Sequence, residues 1–107
     1  MSVNPHDHDV DDVLSAAVVE YFGINRSSYP RPDRAAVAAR FPDRDIAPLL
    51  ERVVALEVEM GRIKIDWATL GWQQGCDVAL ATMRQRHPEL SIEALTTLDW
   101  QFSYSTR

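Results

Sequence analysis

Apolar positions recur at helical spacing along most of the 107-residue chain. In residues 9–22 they fall three or four positions apart, which is the spacing of one face of an amphipathic helix. That stripe consists of Val10, Val13, Leu14, Ala17, Val18 and Tyr21. Gly23 follows it and is a natural C-terminal cap. The pattern predicts a first helix over residues 9–22.

Two more helices are predicted in the next part of the chain. A short, alanine-rich helix covers residues 33–41, with Val37 and Phe41 as the side chains that anchor it. A longer helix begins at a cap formed by Asp45 and ends at Gly61. Its core stripe consists of Leu49, Val53, Leu56 and Met60. We expect three further apolar residues to widen this buried face, namely Leu50, Val54 and Val58.

The longest helical segment, residues 66–87, begins at a cap formed by Asp66 and is apolar on almost every side. Its narrow polar strip consists of Thr69, Gln73, Asp77 and Arg84. A helix that is apolar nearly all round is normally buried, so the pattern predicts the central helix of the fold. A row of small residues lets another backbone approach closely, either within the chain or across a homodimer. The row consists of Gly71, Gly75 and Ala79.

The C-terminal segment fits two structures. Ser91 is a good N-cap for a helix, and apolar residues follow it at helical spacing. Residues 98–105 also alternate strictly between apolar and polar, as residues 62–67 do, which is the period of a strand. A lone two-stranded ribbon is marginally stable, so we expect an all-α fold. The prediction is a compact bundle of four to five helices in a single domain, residues 1–107. The alternative is a mainly helical fold with a small ribbon.

The net charge of −5 is unevenly distributed. Residues 1–25 carry −5, whereas residues 26–44 carry +3. Arginines are common anchors of protein interfaces, and four of them lie in or beside the short predicted helix. These candidate partner-binding residues are Arg31, Arg34, Arg40 and Arg44. The alternative is a solvated face that pairs with the acidic first helix.

A second candidate partner-binding surface lies near the C-terminal end of the sequence. It consists of three aromatic residues, Trp100, Phe102 and Tyr104. These side chains either close the core or form a contiguous exposed apolar patch, and such a patch usually marks an interaction site.

Residues 4–12 contain two histidines and four aspartates, which raises the question of a metal site. An EF-hand loop starting at Asp7 requires glycine at its sixth position and glutamate at its twelfth. The chain has Asp12 and Val18 there. The sequence therefore excludes an EF-hand at this position.

His6 and His8 are the remaining metal candidates in this stretch. Histidines spaced by two share a face only in an extended chain, and further ligands would have to come from elsewhere in the fold. Acidic residues are favoured at the start of a helix, both as caps and through the helix dipole. We therefore expect Asp7 or Asp9 to cap the first helix, with no bound metal or cofactor.

The sequence carries little sign of catalysis. Cys76 is the only cysteine, which excludes an internal disulfide and multi-cysteine metal patterns. His87 lies eleven residues further on and Asp77 is adjacent, so nothing in the sequence activates the thiol, and we expect it to be buried. The absence of a glycine-rich phosphate loop also favours a non-enzymatic role, although enzymatic activity stays open.

Composition and sequence pattern indicate the source and the cellular location of the protein. Lys64 is the only lysine among 11 basic residues, which weakly indicates a bacterial, GC-rich source. Neither a run of about 20 apolar residues nor the pattern of a signal peptide occurs, so we expect a cytoplasmic protein without a membrane segment. An acidic chain is a poor nucleic-acid binder. We expect a monomer or homodimer.

The sequence is compatible with three candidate functions. The first is a non-enzymatic protein–protein interaction module, such as an inhibitor or immunity-like protein. The second is a small-molecule-binding or enzymatic helical domain, with a pocket lined by the tryptophans, Met60 and Met83. Such a pocket would need convergent polar groups from Gln73, Gln74, Asp77 or His87. The third is a helix-turn-helix DNA-binding regulator. Its recognition helix would start at Asp45 and would present few side chains able to hydrogen-bond to base edges.

Overall fold

The computed structural model describes residues 10–106, so His6 and His8, with the metal hypothesis attached to them, lie outside the described residues. Helix α1 spans Asp12–Phe22. Its N-cap is Asp11, whose carboxylate accepts the N–H of Leu14 at 2.9 Å. Asp7 and Asp9, the predicted caps, lie outside the described residues, and the residue that caps this helix is Asp11. The backbone N–H of Asp11 donates to the carbonyl of Glu89 at 2.7 Å, which holds residue 11 in extended conformation, so the helix begins after it.

Gly23 ends α1 as the sequence predicts. It adopts the left-handed conformation with φ of 77°, which favours glycine because it has no Cβ. Its N–H donates to the carbonyl of Val19 at 3.0 Å. The chain then turns towards the second helix.

Helix α2 spans Arg34–Arg40 and helix α3 spans Ala47–Gly61. The carboxylate of Asp33 caps α2 by accepting the N–H of Ala36 at 3.2 Å. Ahead of α3, the carboxylate of Asp45 accepts the N–H of Ala47 at 3.1 Å. Helix α2 therefore begins directly after its aspartate cap. The N-cap of α3 is Ile46 and no side chain caps this helix, so the predicted cap at Asp45 is wrong by one residue.

Helix α4 spans Trp72–Arg86, and its N-cap is Gly71, five residues after the predicted cap at Asp66. Asp66 accepts the N–H of Thr69 at 3.3 Å, but this bond closes a turn and not the first turn of α4. The helix starts after Gly71, whose N–H donates to the Gln74 side chain at 3.0 Å.

Helix α5 spans Ile92–Ser105, so the C-terminal segment is helical. Ser91 caps it by accepting the N–H of Ala94 at 3.0 Å. The helix buries Leu98 and Phe102 together with the polar Thr97 and Gln101. A strand would have placed Thr97 and Leu98 on opposite faces, whereas the helix buries both.

Residues 10–106 contain five helices and no strand, which confirms the all-α bundle and rules out the ribbon within that range. Helices α1 and α5 form the centre of the bundle. Helix α1 packs against α2, α3 and α5, and α5 packs against α1, α3 and α4. None of the described helices has the length and hydropathy of a membrane span.

The prediction of a central helix in residues 66–87 is wrong, because the main neighbour of α4 is α5 alone. The buried face of α4 is narrow and built mostly of small residues, which are Gly75, Cys76 and Ala79, with Met83. A Cβ at residue 75 would collide with the ring of Trp67, so the glycine serves close packing within the chain. Trp72 and Val78 are both 39% exposed.

Helix α3 carries two apolar stripes, and only one of them faces the core. The predicted core stripe is buried throughout. In the second stripe, Leu50 is buried, but Val54 and Val58 are 38% and 41% exposed. The expectation that all three widen the buried face is therefore wrong for these two valines.

Adjacent valines on α3 test this placement. We expect Val53→Ala to lower the free energy of unfolding by about 2 kcal/mol, because it removes buried apolar groups and leaves a cavity. Val54→Ala should change it by less than about 0.5 kcal/mol, since that side chain is exposed. Urea denaturation measures both values, and equal losses would contradict the structure.

Candidate functional site

The four candidate arginines all lie on exposed positions around α2. The guanidinium groups of Arg40 and Arg44 lie 5.3 and 6.0 Å from the centre of the Phe41 ring. Among residues 10–106, ion pairs of arginine involve Arg26, Arg52 and Arg86 and none of the four candidates. The acidic cap of α1, Asp11, pairs with Arg52 at 3.1 Å. The described part of α1 therefore does not neutralise the arginines of α2.

An open groove of about 710 Å³ runs along the outer face of α3, and we call it the α3 groove. Its apolar floor contains Leu50, Val54 and Val58 of α3. Three arginines from different parts of the chain line it: Arg34 of α2, Arg62 directly after α3, and Arg86 of α4. Two glutamates also line it, Glu51 and Glu59.

Two features of the sequence create this groove. The second apolar stripe of α3 repeats every four residues, so it lies beside the core stripe and faces outwards. Helix α2 is only seven residues long and packs against α1, so it leaves this side of α3 uncovered. Only Arg34 connects the α2 arginines to the groove.

The C-terminal aromatic candidates do not form one exposed patch. Phe102 is buried at 4% exposure, and Trp100 is half-buried against the core. Tyr104 is 38% exposed, but its hydroxyl donates to the carbonyl of Ser28 at 3.0 Å, and its ring meets Trp100 edge-on. These side chains close the core and hold the segment that follows α1.

His87 lies between two carboxylates at the C-terminal end of α4, and we call Glu59, Arg86, His87 and Glu89 the His87 cluster. The Nε2 atom of His87 lies 2.8 Å from Oε1 of Glu59, and Nδ1 lies 3.0 Å from Oε2 of Glu89. The second oxygen of Glu59 accepts a bond from Arg86 at 3.2 Å. The cluster connects α3 with the end of α4 and with the turn before α5.

The protonation of this cluster follows from its contacts. Burial lowers the pKa of His87, but hydrogen bonds to Glu89 and Glu59 and their charges raise it further than burial lowers it, so the net pKa is raised. Burial raises the pKa of Glu59, whereas hydrogen bonds and charges from His87 and Arg86 give a net lowered pKa. The cluster therefore favours the charged imidazolium of His87 and the ionised form of Glu59.

This arrangement stabilises the fold more readily than it performs chemistry. Both ring nitrogens of His87 are engaged by carboxylates, so neither is free to act as a general base. In the part of the chain that the structure describes, no group of three or more potential ligands is placed to hold a metal ion.

Cys76 is buried, and its sulfur lies 3.9 Å from the hydroxyl of Thr106. Burial raises the pKa of the thiol, and the charges of Asp99 and Asp77 raise it further, although the contact with Thr106 lowers it. The net effect keeps the sulfur protonated, which makes it a poor nucleophile.

Two of the polar groups expected to converge in a ligand pocket, Asp77 and His87, line different depressions. Asp77 lines a groove between α4 and α5, whereas His87 lines a separate cavity against α3. Met60 and Met83 are fully buried and fill the core. Trp67 lines a depression of about 280 Å³ beside the C-terminal end of α5.

Sequence reasoning missed the residues that complete the α3 groove and the His87 cluster. The spacing of Leu50, Val54 and Val58 was a signal for a second apolar face. The pairing of Glu59 with His87 joins positions 28 residues apart, and nothing in the local pattern signals it. Comparisons of the chain with protein-family models, curated proteins and solved structures gave no match.

The pKa directions in the His87 cluster predict a pH window of stability. The raised pKa of His87 stabilises the fold fully below its ordinary value of 6.5, and this is lost as pH rises through the folded pKa. The lowered pKa of Glu59 stabilises the fold above 4.5, and this is lost as pH falls through its folded pKa. We expect His87→Gln to cost about 1–3 kcal/mol near pH 5 to 6 and less on either side.

Urea denaturation of the wild type and of the variant at several pH values measures the difference between their free energies of unfolding. Groups outside the cluster titrate alike in both proteins, so their contributions cancel in this difference. Glu51→Gln, at an exposed position on α3, the helix that carries Glu59, is the matched control and should leave the pH profile unchanged. A cost of His87→Gln that is the same from pH 4 to pH 9 would rule out the charged cluster.

Proposed function

We propose that this protein is a non-enzymatic interaction module that binds an acidic amphipathic helix of another protein in the α3 groove. One observation carries the proposal: the exposed apolar stripe of α3 is bordered by arginines that converge from three parts of the chain. An amphipathic helix laid in a groove is a recurrent form of protein recognition. The module would act as an inhibitor or immunity-like protein if the bound helix belongs to an active partner.

The charges around the groove support an acidic partner. Arg86 is paired with Glu59, which leaves Arg34 and Arg62 against Glu51. The remaining candidate arginines extend this basic region over the exposed surface around α2; they are Arg31, Arg40 and Arg44. In a chain of net charge −5, such a region attracts acidic side chains and orients the partner as it approaches.

The apolar floor supports a helix as the bound element. Val54 and Val58 lie one turn apart and are exposed to a similar degree. Apolar residues spaced by three or four on a bound helix would cover both of them. Burial of this stripe supplies affinity, while the arginines select the charge of the partner.

Nucleic acid fits this surface less well. The start of α3 presents the carboxylate of Asp45, and Ile46 beside it is buried, so neither offers a donor to phosphates or base edges. We place the module in the cytoplasm of a bacterium, on the basis of the single cysteine and the arginine-rich composition.

A small-molecule site is the weaker candidate. The depression beside Trp67 also contains Glu57, whose pKa burial raises, and the buried side chain of Gln101. Its volume of about 280 Å³ lies just below the roughly 300–1,000 Å³ that is typical of ligand pockets. The larger α3 groove is open and suits a helix better than a small ligand.

A pair of designed peptides tests the proposal. One peptide of about 18 residues carries leucine at helical spacing and glutamate elsewhere, and the other has lysine in place of glutamate. We expect the acidic peptide alone to shift the NMR signals of Val54 and Val58. Arg34→Glu combined with Arg62→Glu should weaken its binding at least about tenfold, since attraction becomes repulsion at two positions.

Lys64→Glu is the control, because it reverses an exposed charge that does not line the groove. It should leave the affinity nearly unchanged. Equal binding of both peptides, or shifts confined to other surfaces, would contradict the proposal.

A further inference from the structure

Helix α4 carries more apolar residues than its position at the edge of the bundle requires. Its pattern is that of a central helix, yet only α5 packs extensively against it. Val78 remains 39% exposed, and Ile92 at the start of the adjacent α5 is 81% exposed. Ile92 belongs to the apolar stripe of α5 but lies outside the core. An amphipathic pattern wider than the buried face indicates a face that is covered in an assembly.

Ile92 borders an open groove of about 610 Å³ between α4 and α5, which we call the α4–α5 face. Its apolar part combines Leu80 and Ala81 of α4 with Ile92 and Leu95 of α5. Ala81 is small and exposed, so another helix can approach the backbone of α4 closely at this point. The α4–α5 face differs from the α3 groove.

The two ends of this face carry charges of opposite sign. Asp77 and Arg84 both line it and lie seven residues apart on α4, which corresponds to about 10 Å along the helix. The carboxylate of Asp77 accepts a bond from the neutral amide of Gln73, so its charge is not paired there. Asp99 lies close enough to Asp77 for the two carboxyl groups to interact, and burial and the charge of Asp77 raise the pKa of Asp99. Among residues 10–106, Arg84 takes part in no ion pair.

We propose that a second copy of this chain packs on the α4–α5 face in a two-fold dimer, with the two α4 helices antiparallel. A two-fold interface must be complementary to itself. Asp77 and Arg84 meet this condition when the two-fold axis passes near the midpoint between Leu80 and Ala81, because Asp77 of each copy then faces Arg84 of the other. Ile92 of each copy is covered by the apolar surface around Ala81 and Leu80.

A charge-swap series tests the dimer by sedimentation velocity over a range of protein concentrations. The wild type should dimerise, and Asp77→Arg or Arg84→Asp alone should raise the dimer Kd at least about tenfold. The double variant, with both substitutions, should return the Kd to within about threefold of the wild type, since each pair is restored in reverse.

Ile92→Asp is an independent variant that should abolish the dimer, because it places a carboxylate in the apolar part of the interface. Its fold is expected to persist, since residue 92 is the first of α5, where the helix dipole favours an acid. Circular dichroism checks the fold of every variant, and Lys64→Asp is the control for a charge change elsewhere. Each of three results would overturn the proposal. The wild type could stay monomeric at every concentration, Ile92→Asp could leave the dimer intact, or the double variant could dimerise as weakly as the single variants.

Discussion

The packing of α1 against α5 is the constraint on which the other helices depend. Each of the remaining helices packs against at least one of these two, and neither α2 nor α4 has another extensive partner. Both central helices bury small residues, such as Ala17 and Ala94, which are fully inaccessible and allow close approach. The outer surfaces of α3 and α4 are exposed because only this central pair supplies a core for them.

The two proposed interaction surfaces follow from that arrangement. Helices α3 and α4 each turn one apolar side to the central pair, and each has further apolar residues that the central pair cannot cover. On α3 these are Val54 and Val58, bordered by arginines. On α4 this residue is Val78, and at the start of α5 it is Ile92, which lines the α4–α5 face together with Asp77 and Arg84. The different charges distinguish the occupants, an acidic helix in one case and a second copy in the other.

The sequence predicts local structure well here because caps and spacing act over a few residues. Ser91 and Gly23 mark helix ends as expected. Spacing shows which residues share a face, but not which neighbour covers that face, so the apolar residues of α4 suggested a central position. The exposed arginines of α2 could be found from local charge, whereas Arg62 and Arg86 join Arg34 only in the folded chain. The same holds for the contact of His87 with Glu59.

The hydrogen bonds between the start of α1 and the turn before α5 affect how the chain folds during synthesis. The Asp11 N–H donates to the Glu89 carbonyl, and the Ser91 N–H donates to the Ser15 hydroxyl, across 76 residues. Helix α1 leaves the ribosome long before these partners exist. Helices α2 and α3 can pack against α1 earlier, but the part of its apolar face that contacts α5 stays exposed to water until α5 emerges. Final docking is therefore a late, long-range step, and a nascent α1 is the segment with most need of temporary cover by a chaperone.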